Sequence, residues 1–71
     1  MSREGAFLVY CIEAYKEAKE ATGRQVYDLF EQYGVIAYVL DCYEALHTVG
    51  ERYLVDDIDR FILNRKREAL A

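Results

Sequence analysis

The scarcity of turn-forming residues is the feature that most constrains the fold of this chain. Its 71 residues include no proline and only four glycines. Because proline and glycine mark most turns, little of the chain is left for loops or hairpins. Apolar residues recur instead with the spacing of a helix face. We therefore predict one all-α domain spanning residues 1–71, since a chain of this length supports a single core.

Four predicted helices, packed as a compact bundle, follow from the positions of the capping residues. They lie near residues 4–21, 24–33, 35–48 and 56–69. Thr22 and Gln25 have the spacing of a capping box that begins the second helix, although Gly23 could equally end the first in a left-handed conformation. Gly34 is expected to end the second helix. Asp56 is a predicted N-cap, which makes the preceding "ERYLV" a linker.

The third predicted helix carries the most apolar part of the sequence. Asp41 and Glu44 are its only charged residues, and its apolar side chains cover an arc of about 220° on a helical wheel. So wide an arc indicates burial on most sides, and at about 21 Å the helix is too short to cross a bilayer. We predict that this helix is central and the most buried, with Val39 and Leu46 in the core.

Charge and cysteine content indicate the cellular setting. The net charge of −4 weighs against nucleic-acid binding, because neutralisation of phosphates supplies most non-specific affinity. An apolar run over residues 6–12 is followed at once by charged residues at helical spacing, so we interpret it as a folded helix and not as a signal peptide. A cytoplasmic location is therefore predicted. In that reducing compartment Cys11 and Cys42 are expected to be reduced, buried and metal-free.

Two sequence features could suggest chemistry, but both have simpler interpretations. The acidic "VDDIDR" lacks the central glycine and distal glutamate of a calcium loop, and we interpret it as a helix cap that complements the helix dipole. His47 is a lone histidine at the edge of an apolar face, with Glu44 as its expected neighbour. No catalytic triad or glycine-rich phosphate loop is visible. We predict no catalytic residue, metal, cofactor or small-molecule substrate.

Tyrosine is unusually frequent, with seven residues in the chain. One small core cannot easily satisfy seven hydroxyl groups, so several tyrosines are expected at the core margin, where they are typical of protein interfaces. The first helix also has an apolar arc of about 200°, wider than one neighbour requires. The predicted partner-binding residues are Leu8, Ile12, Tyr15, Tyr27 and Tyr38.

A set of short motifs covers nearly the whole chain and resembles one family. The motifs are Thr22-Gly23, Val26-Tyr27 with Leu29-Phe30, Gly34-Val35, Tyr43 with Leu46-His47, Gly50, Tyr53 and Asp57-Ile58. They resemble a family of small bacterial proteins of unknown function, mostly from Firmicutes. The resemblance implies a gene near others for ADP-ribosyltransferase-like proteins, as in a toxin–antitoxin pair. It carries over no catalytic residues.

Two classes of function remain open on the sequence. The first is a helical protein–protein interaction module, antitoxin-like in one form, that binds itself as a homodimer or higher oligomer or binds a protein encoded nearby. The second is a transcriptional regulator that contacts nucleic acid through the basic "NRKRE" of the last helix. The third helix shows tyrosine and valine where a recognition helix would need basic residues, which favours the first class. We predict that the chain is not an enzyme and does not bind a membrane.

Overall fold

Five α-helices and no strands make up the residues that the computed structural model describes, which are 1–70. The helices are α1 (Arg3–Lys19), α2 (Gly23–Tyr33), α3 (Val35–Asp41), α4 (Tyr43–Leu46) and α5 (Glu51–Leu70). The bundle measures 36 × 25 × 22 Å. The predicted all-α class is confirmed, with one helix more than expected. Within residues 1–70, no helix is both long and apolar enough to span a membrane.

Side-chain and backbone caps fix both ends of α1. The Ser2 hydroxyl accepts the backbone N–H of Gly5 at 3.0 Å and begins the helix. At the other end Glu20 adopts a left-handed conformation with φ 53° and donates its N–H to the carbonyl of Glu17. Ala21 donates to Lys16, which completes a Schellman motif. The left-handed residue is therefore Glu20, not Gly23, and α1 ends two residues earlier than predicted.

Glu20 gives a test of this helix end, because a residue with a Cβ is strained at positive φ and glycine is not. Glu20→Gly is expected to raise the free energy of unfolding by about 0.5–1 kcal/mol. The same change at Glu17, inside α1, should lower it by about 1 kcal/mol. Urea denaturation followed by circular dichroism measures both. Equal destabilisation by the two changes would contradict the assigned cap.

α2 begins and ends as the sequence indicated. The Thr22 hydroxyl accepts the N–H of Gln25 at 3.1 Å, and the Gln25 side chain accepts the N–H of Thr22 at 2.9 Å, so the predicted capping box is confirmed. Gly34, with φ 74°, both ends α2 and precedes α3. Val26 and Phe30 are fully buried, which places the predicted apolar stripe of α2 against the core.

The third predicted helix is broken into α3 and α4. Cys42 lies between them with φ −100° and ψ 21°, outside the regular helical region. The sequence has no glycine or proline at this point, so its periodicity runs through the break unchanged. Residues 35–46 therefore form two short helices joined at Cys42, and residues 47–48 form a turn, so the single helix predicted over 35–48 is wrong.

The last helix starts five residues earlier than predicted. Leu54 and Val55 are buried and continue the apolar stripe of Ile58 and Ile62, so the presumed "ERYLV" linker is the first part of α5. Leu54 donates its backbone N–H to the carbonyl of Gly50 at 2.9 Å. Asp56 lies inside the helix and is not an N-cap; the prediction for this residue was wrong.

Twelve apolar side chains form one core shared by α1, α2, α3, α4 and α5. α3 contacts α1, α2, α4 and α5, which agrees with its predicted central position. Val39 is completely buried and Leu46 is 6% exposed, as predicted. Leu40 is exposed, however, and so is His47, so the buried arc of this region is narrower than the predicted one.

Candidate functional site

Two aspartates in the middle of α5 accept hydrogen bonds from tyrosines of other helices. The Tyr15 hydroxyl of α1 donates to Asp59 Oδ1 at 2.6 Å, and Lys19 Nζ donates to the other oxygen at 2.7 Å. The Tyr38 hydroxyl of α3 donates to Asp57 Oδ2 at 2.6 Å. The acidic cluster thus supplies acceptors for tyrosine hydroxyls, and the predicted cap function is replaced by this one.

These bonds hold α5 from two sides. Residues two apart on a helix point about 160° away from each other, so Asp57 and Asp59 flank the buried Ile58. Burial of the rings, followed by the hydrogen bonds to the aspartates, raises the pKa of both Tyr15 and Tyr38 above the ordinary value. The hydrogen bonds donated by these neutral hydroxyls therefore restrict rotation of α5 about its own axis.

The five predicted partner-binding residues do not form one surface. Tyr15 is 6% exposed and belongs to the core, where its ring packs edge-on against a phenylalanine of α2, so it is not available to a partner. Leu8 and Ile12 are half-buried against the core. Tyr38 is half-buried and bonded to α5. Tyr27, at 43% exposed, is the most exposed of the five.

A different group of side chains forms a connected series of aromatic rings, two exposed and two partly buried, which we call the aromatic patch. It consists of Phe7 and Tyr10 of α1 with Tyr43 and His47 at α4. The Phe7 and Tyr10 ring centroids are 6.1 Å apart, and Phe7 meets Tyr43 edge-on at 5.5 Å. Tyr43 stacks on His47 at 4.4 Å. The Arg3 guanidinium lies 5.7 Å from the Tyr43 ring, within the range of a cation–π contact.

Backbone bonding fixes the histidine of the aromatic patch. His47 Nδ1 is 2.8 Å from the carbonyl oxygen of Tyr43, so this nitrogen carries a proton and donates it. Glu44, the expected neighbour of His47, does not occur among the ion pairs of residues 1–70. The backbone carbonyl takes the place of that carboxylate.

Tyr10 lies at the edge of the patch toward α5. It is 43% exposed. Its pKa is raised, first because part of the side chain is withdrawn from water and then because of the negative Glu51 carboxylate. The patch therefore combines an apolar aromatic centre with charged neighbours, Arg3 on one side and Glu51 on the other. Such a surface can bind a protein by packing and directional hydrogen bonds.

The sequence spacing of the patch residues predicts that they are buried, whereas in the structure two of them are exposed and two partly buried. Phe7 and Tyr10 have i, i+3 spacing and Tyr43 and His47 have i, i+4 spacing, so each pair lies on one face of a helix. On the helical wheel both pairs fall within the wide apolar arcs of the first and third predicted helices. Only the break at Cys42 and the approach of α4 to α1 make one surface of them, and neither follows from periodicity.

The remaining chemistry-bearing groups are occupied or dispersed. Cys11 is fully buried, and burial raises the pKa of its thiol to about 12. Cys42 is half-buried, not buried as predicted; both cysteines are free thiols. Across residues 1–70, no three metal-binding side chains converge, and every buried polar side-chain atom has a hydrogen-bond partner.

Comparison with known proteins places the chain in a family. No curated protein and no solved structure matches it significantly. A family model described as "Protein of unknown function (DUF3791)" matches residues 6–65, a span that includes the whole aromatic patch and most of α1 and α5. This agrees with the resemblance of the motifs to a family of unknown function. The chain therefore belongs to the DUF3791 family of proteins of unknown function.

Proposed function

We propose that this protein is a small helical interaction module that binds a partner protein through the aromatic patch. The observation that carries the proposal is the unbroken series of ring contacts from Tyr10 through Phe7 and Tyr43 to His47 at the surface. Tyrosine and arginine are enriched among the residues that dominate binding energy at protein interfaces. A surface patch of this composition is typical of a binding site.

The patch is also held in place before any partner arrives. Tyr43 stacks on His47 and lies within cation–π range of Arg3, and the His47 ring is fixed by its bond to the backbone. Side chains that are already ordered lose little entropy on binding, so more of the contact energy appears as affinity. The fitting partner presents apolar side chains to the rings and an acidic group to Arg3.

The finer form of the proposal is an antitoxin-like role. The resemblance of the motifs implies a bacterial gene beside one for an ADP-ribosyltransferase-like protein, and we propose that protein as the partner, met in the cytoplasm. In this role the chain acts by covering a surface of its partner. It needs no catalytic group of its own.

Alanine substitution at Tyr10 tests the patch. In calorimetric titration against the product of the adjacent gene, Tyr10→Ala is expected to weaken binding by at least about tenfold, the effect of truncating an exposed aromatic side chain on which an interface depends. Tyr27→Ala is the matched control, because Tyr27 is the same residue type with the same 43% exposure on another helix. It should leave affinity nearly unchanged.

Two outcomes would refute the proposal. If the co-expressed adjacent gene product forms no complex with the wild-type chain, that protein is not the partner. If Tyr27→Ala weakens the complex and Tyr10→Ala does not, the partner binds the surface around Tyr27 and not the aromatic patch.

A nucleic-acid-binding regulator is the alternative, and charge segregation favours it. Residues 60–70 carry four basic side chains and one acidic, whereas residues 1–59 carry five basic and twelve acidic. Two of the four bases already contact rings of their own chain, since Arg65 lies 5.0 Å from the Phe61 centroid and Lys66 lies 5.6 Å from that of Tyr33. Duplex DNA binding that falls steeply with salt would support this alternative over the first proposal.

A further inference from the structure

The outward face of α5 carries six exposed side chains at heptad spacing, three of them apolar or aromatic and three charged. Its side chains follow a 3-4-3-4-3 spacing and lie within an arc of about 100°, opposite the buried stripe. We call this row the outer seam; its members are Tyr53, Asp56, Arg60, Leu63, Arg67 and Leu70. All six are exposed, with Tyr53 at 58%, Leu63 at 48% and Leu70 at 89%.

The buried stripe of α5, with a tyrosine–aspartate bond on each side of it, places this row toward solvent. Tyr38 holds Asp57 on one side of α5 and Tyr15 holds Asp59 on the other, so the helix cannot turn the row toward the core. The ion pairs among residues 1–70 do not use the charged members of the outer seam. Its charges are therefore free to pair with another surface.

The charges of the outer seam are complementary to those of a second outer seam when the two helices are antiparallel. In an antiparallel pair of α5 helices centred between residues 61 and 62, Tyr53 lies opposite Leu70 of the second copy. Asp56 then lies opposite Arg67, and the stem of Arg60 covers Leu63. Each contact occurs twice because of the twofold axis. A parallel pair would instead bring like charges together at residues 56, 60 and 67.

We propose that a second copy of this chain binds the outer seam, forming an antiparallel α5–α5 homodimer. The proposal goes beyond the proposed function, because it uses a different face and requires no other protein. Both apolar contacts and opposite charges coincide in this register, which is what selects the second copy as occupant. The aromatic patch lies on α1 and α4 and stays outside the pairing.

Charge reversal tests the register. Sedimentation equilibrium at low ionic strength, where exposed ion pairs are least screened, is expected to show a reversible dimer of the full chain. Arg67→Asp alone should weaken it by about tenfold or more, because each Asp56 then meets a like charge. The double variant Asp56→Arg with Arg67→Asp should restore affinity to within about threefold of wild type.

Matched controls separate pairing from folding. Leu63→Asp should leave a folded monomer, whereas Leu40→Asp, a change at an exposed leucine of α3, should leave the dimer intact. Tyr10→Ala should also leave it intact, so failure of this proposal is distinguishable from failure of the proposed partner site. A wild-type monomer at all concentrations, or a double variant no better than Arg67→Asp alone, would overturn the proposal.

Discussion

Phe30→Ala is expected to abolish the folded state at room temperature. Phe30 is completely buried, and its ring meets Tyr15 edge-on with centroids 5.3 Å apart. Loss of a buried phenylalanine costs about 3–5 kcal/mol through lost transfer energy and the cavity left behind. A core in a chain of this size supplies only about 3–5 kcal/mol of stability. Far-UV circular dichroism and urea titration at 25 °C measure the effect.

Tyr27→Ala is the control for this prediction, because Tyr27 lies on the same helix but on its exposed side. It should change the free energy of unfolding by no more than about 0.5 kcal/mol. A Phe30→Ala protein that keeps a cooperative transition within about 1 kcal/mol of wild type would show that Phe30 is not the centre of the core.

Removal of both bonded tyrosine hydroxyls is expected to have the second largest effect. A hydrogen bond to a charged group contributes about 1.5–3 kcal/mol, but the Asp59 side chain is 38% exposed and can regain water. We expect about 1–2 kcal/mol for each of Tyr15→Phe and Tyr38→Phe, and about 2–4 kcal/mol for the double variant. Urea titrations of the three variants give these values. Tyr53→Phe, on an exposed tyrosine, is the control.

The same hydroxyls predict a dependence on alkaline pH. A group whose pKa is raised by folding stabilises the folded state fully below its ordinary pKa, and that contribution is lost as pH rises beyond it. The ordinary pKa is 9.0 for a cysteine thiol and 10.0 for a tyrosine hydroxyl. The free energy of unfolding should therefore begin to fall near pH 9 because of Cys11, and should fall more steeply above pH 10 because of Tyr15 and Tyr38. The variant with both Tyr15→Phe and Tyr38→Phe should keep the fall in stability that begins near pH 9 and lose most of the steeper fall above pH 10. An unchanged pH profile in that variant would contradict the assignment.

The helical class and the buried stripes could be predicted because they depend on local information. Thr22 with Gln25 and the glycine at residue 34 act within one turn of a helix, and Val26 with Phe30 repeat at the helical period. The start of α5 could not be placed in the same way. Asp56 has the properties of a good N-cap, and only the burial of Leu54 against other helices decides against it.

The candidate site was less predictable, because it depends on which helices meet. Tyr15 is predicted to bind a partner protein, in part because a tyrosine hydroxyl needs a hydrogen-bond partner, and that requirement is real. The partner is Asp59, 44 residues later in the chain, and the pairing lets the ring enter the core. The aromatic patch depends likewise on the contact of Phe7 with Tyr43, which no periodicity in either segment records.

The rate at which the buried Cys11 thiol reacts with an alkylating reagent depends on how often the protein unfolds. Alkylating reagents attack the thiolate, and this thiol is both closed off from solvent and held protonated by a pKa of about 12. Cys42, half-buried at the junction of α3 and α4, has less cover. A reagent added to the native protein therefore encounters the two cysteines on different timescales. The slower rate, that of Cys11, reports complete unfolding. The faster rate, that of Cys42, reports local opening at the junction of α3 and α4.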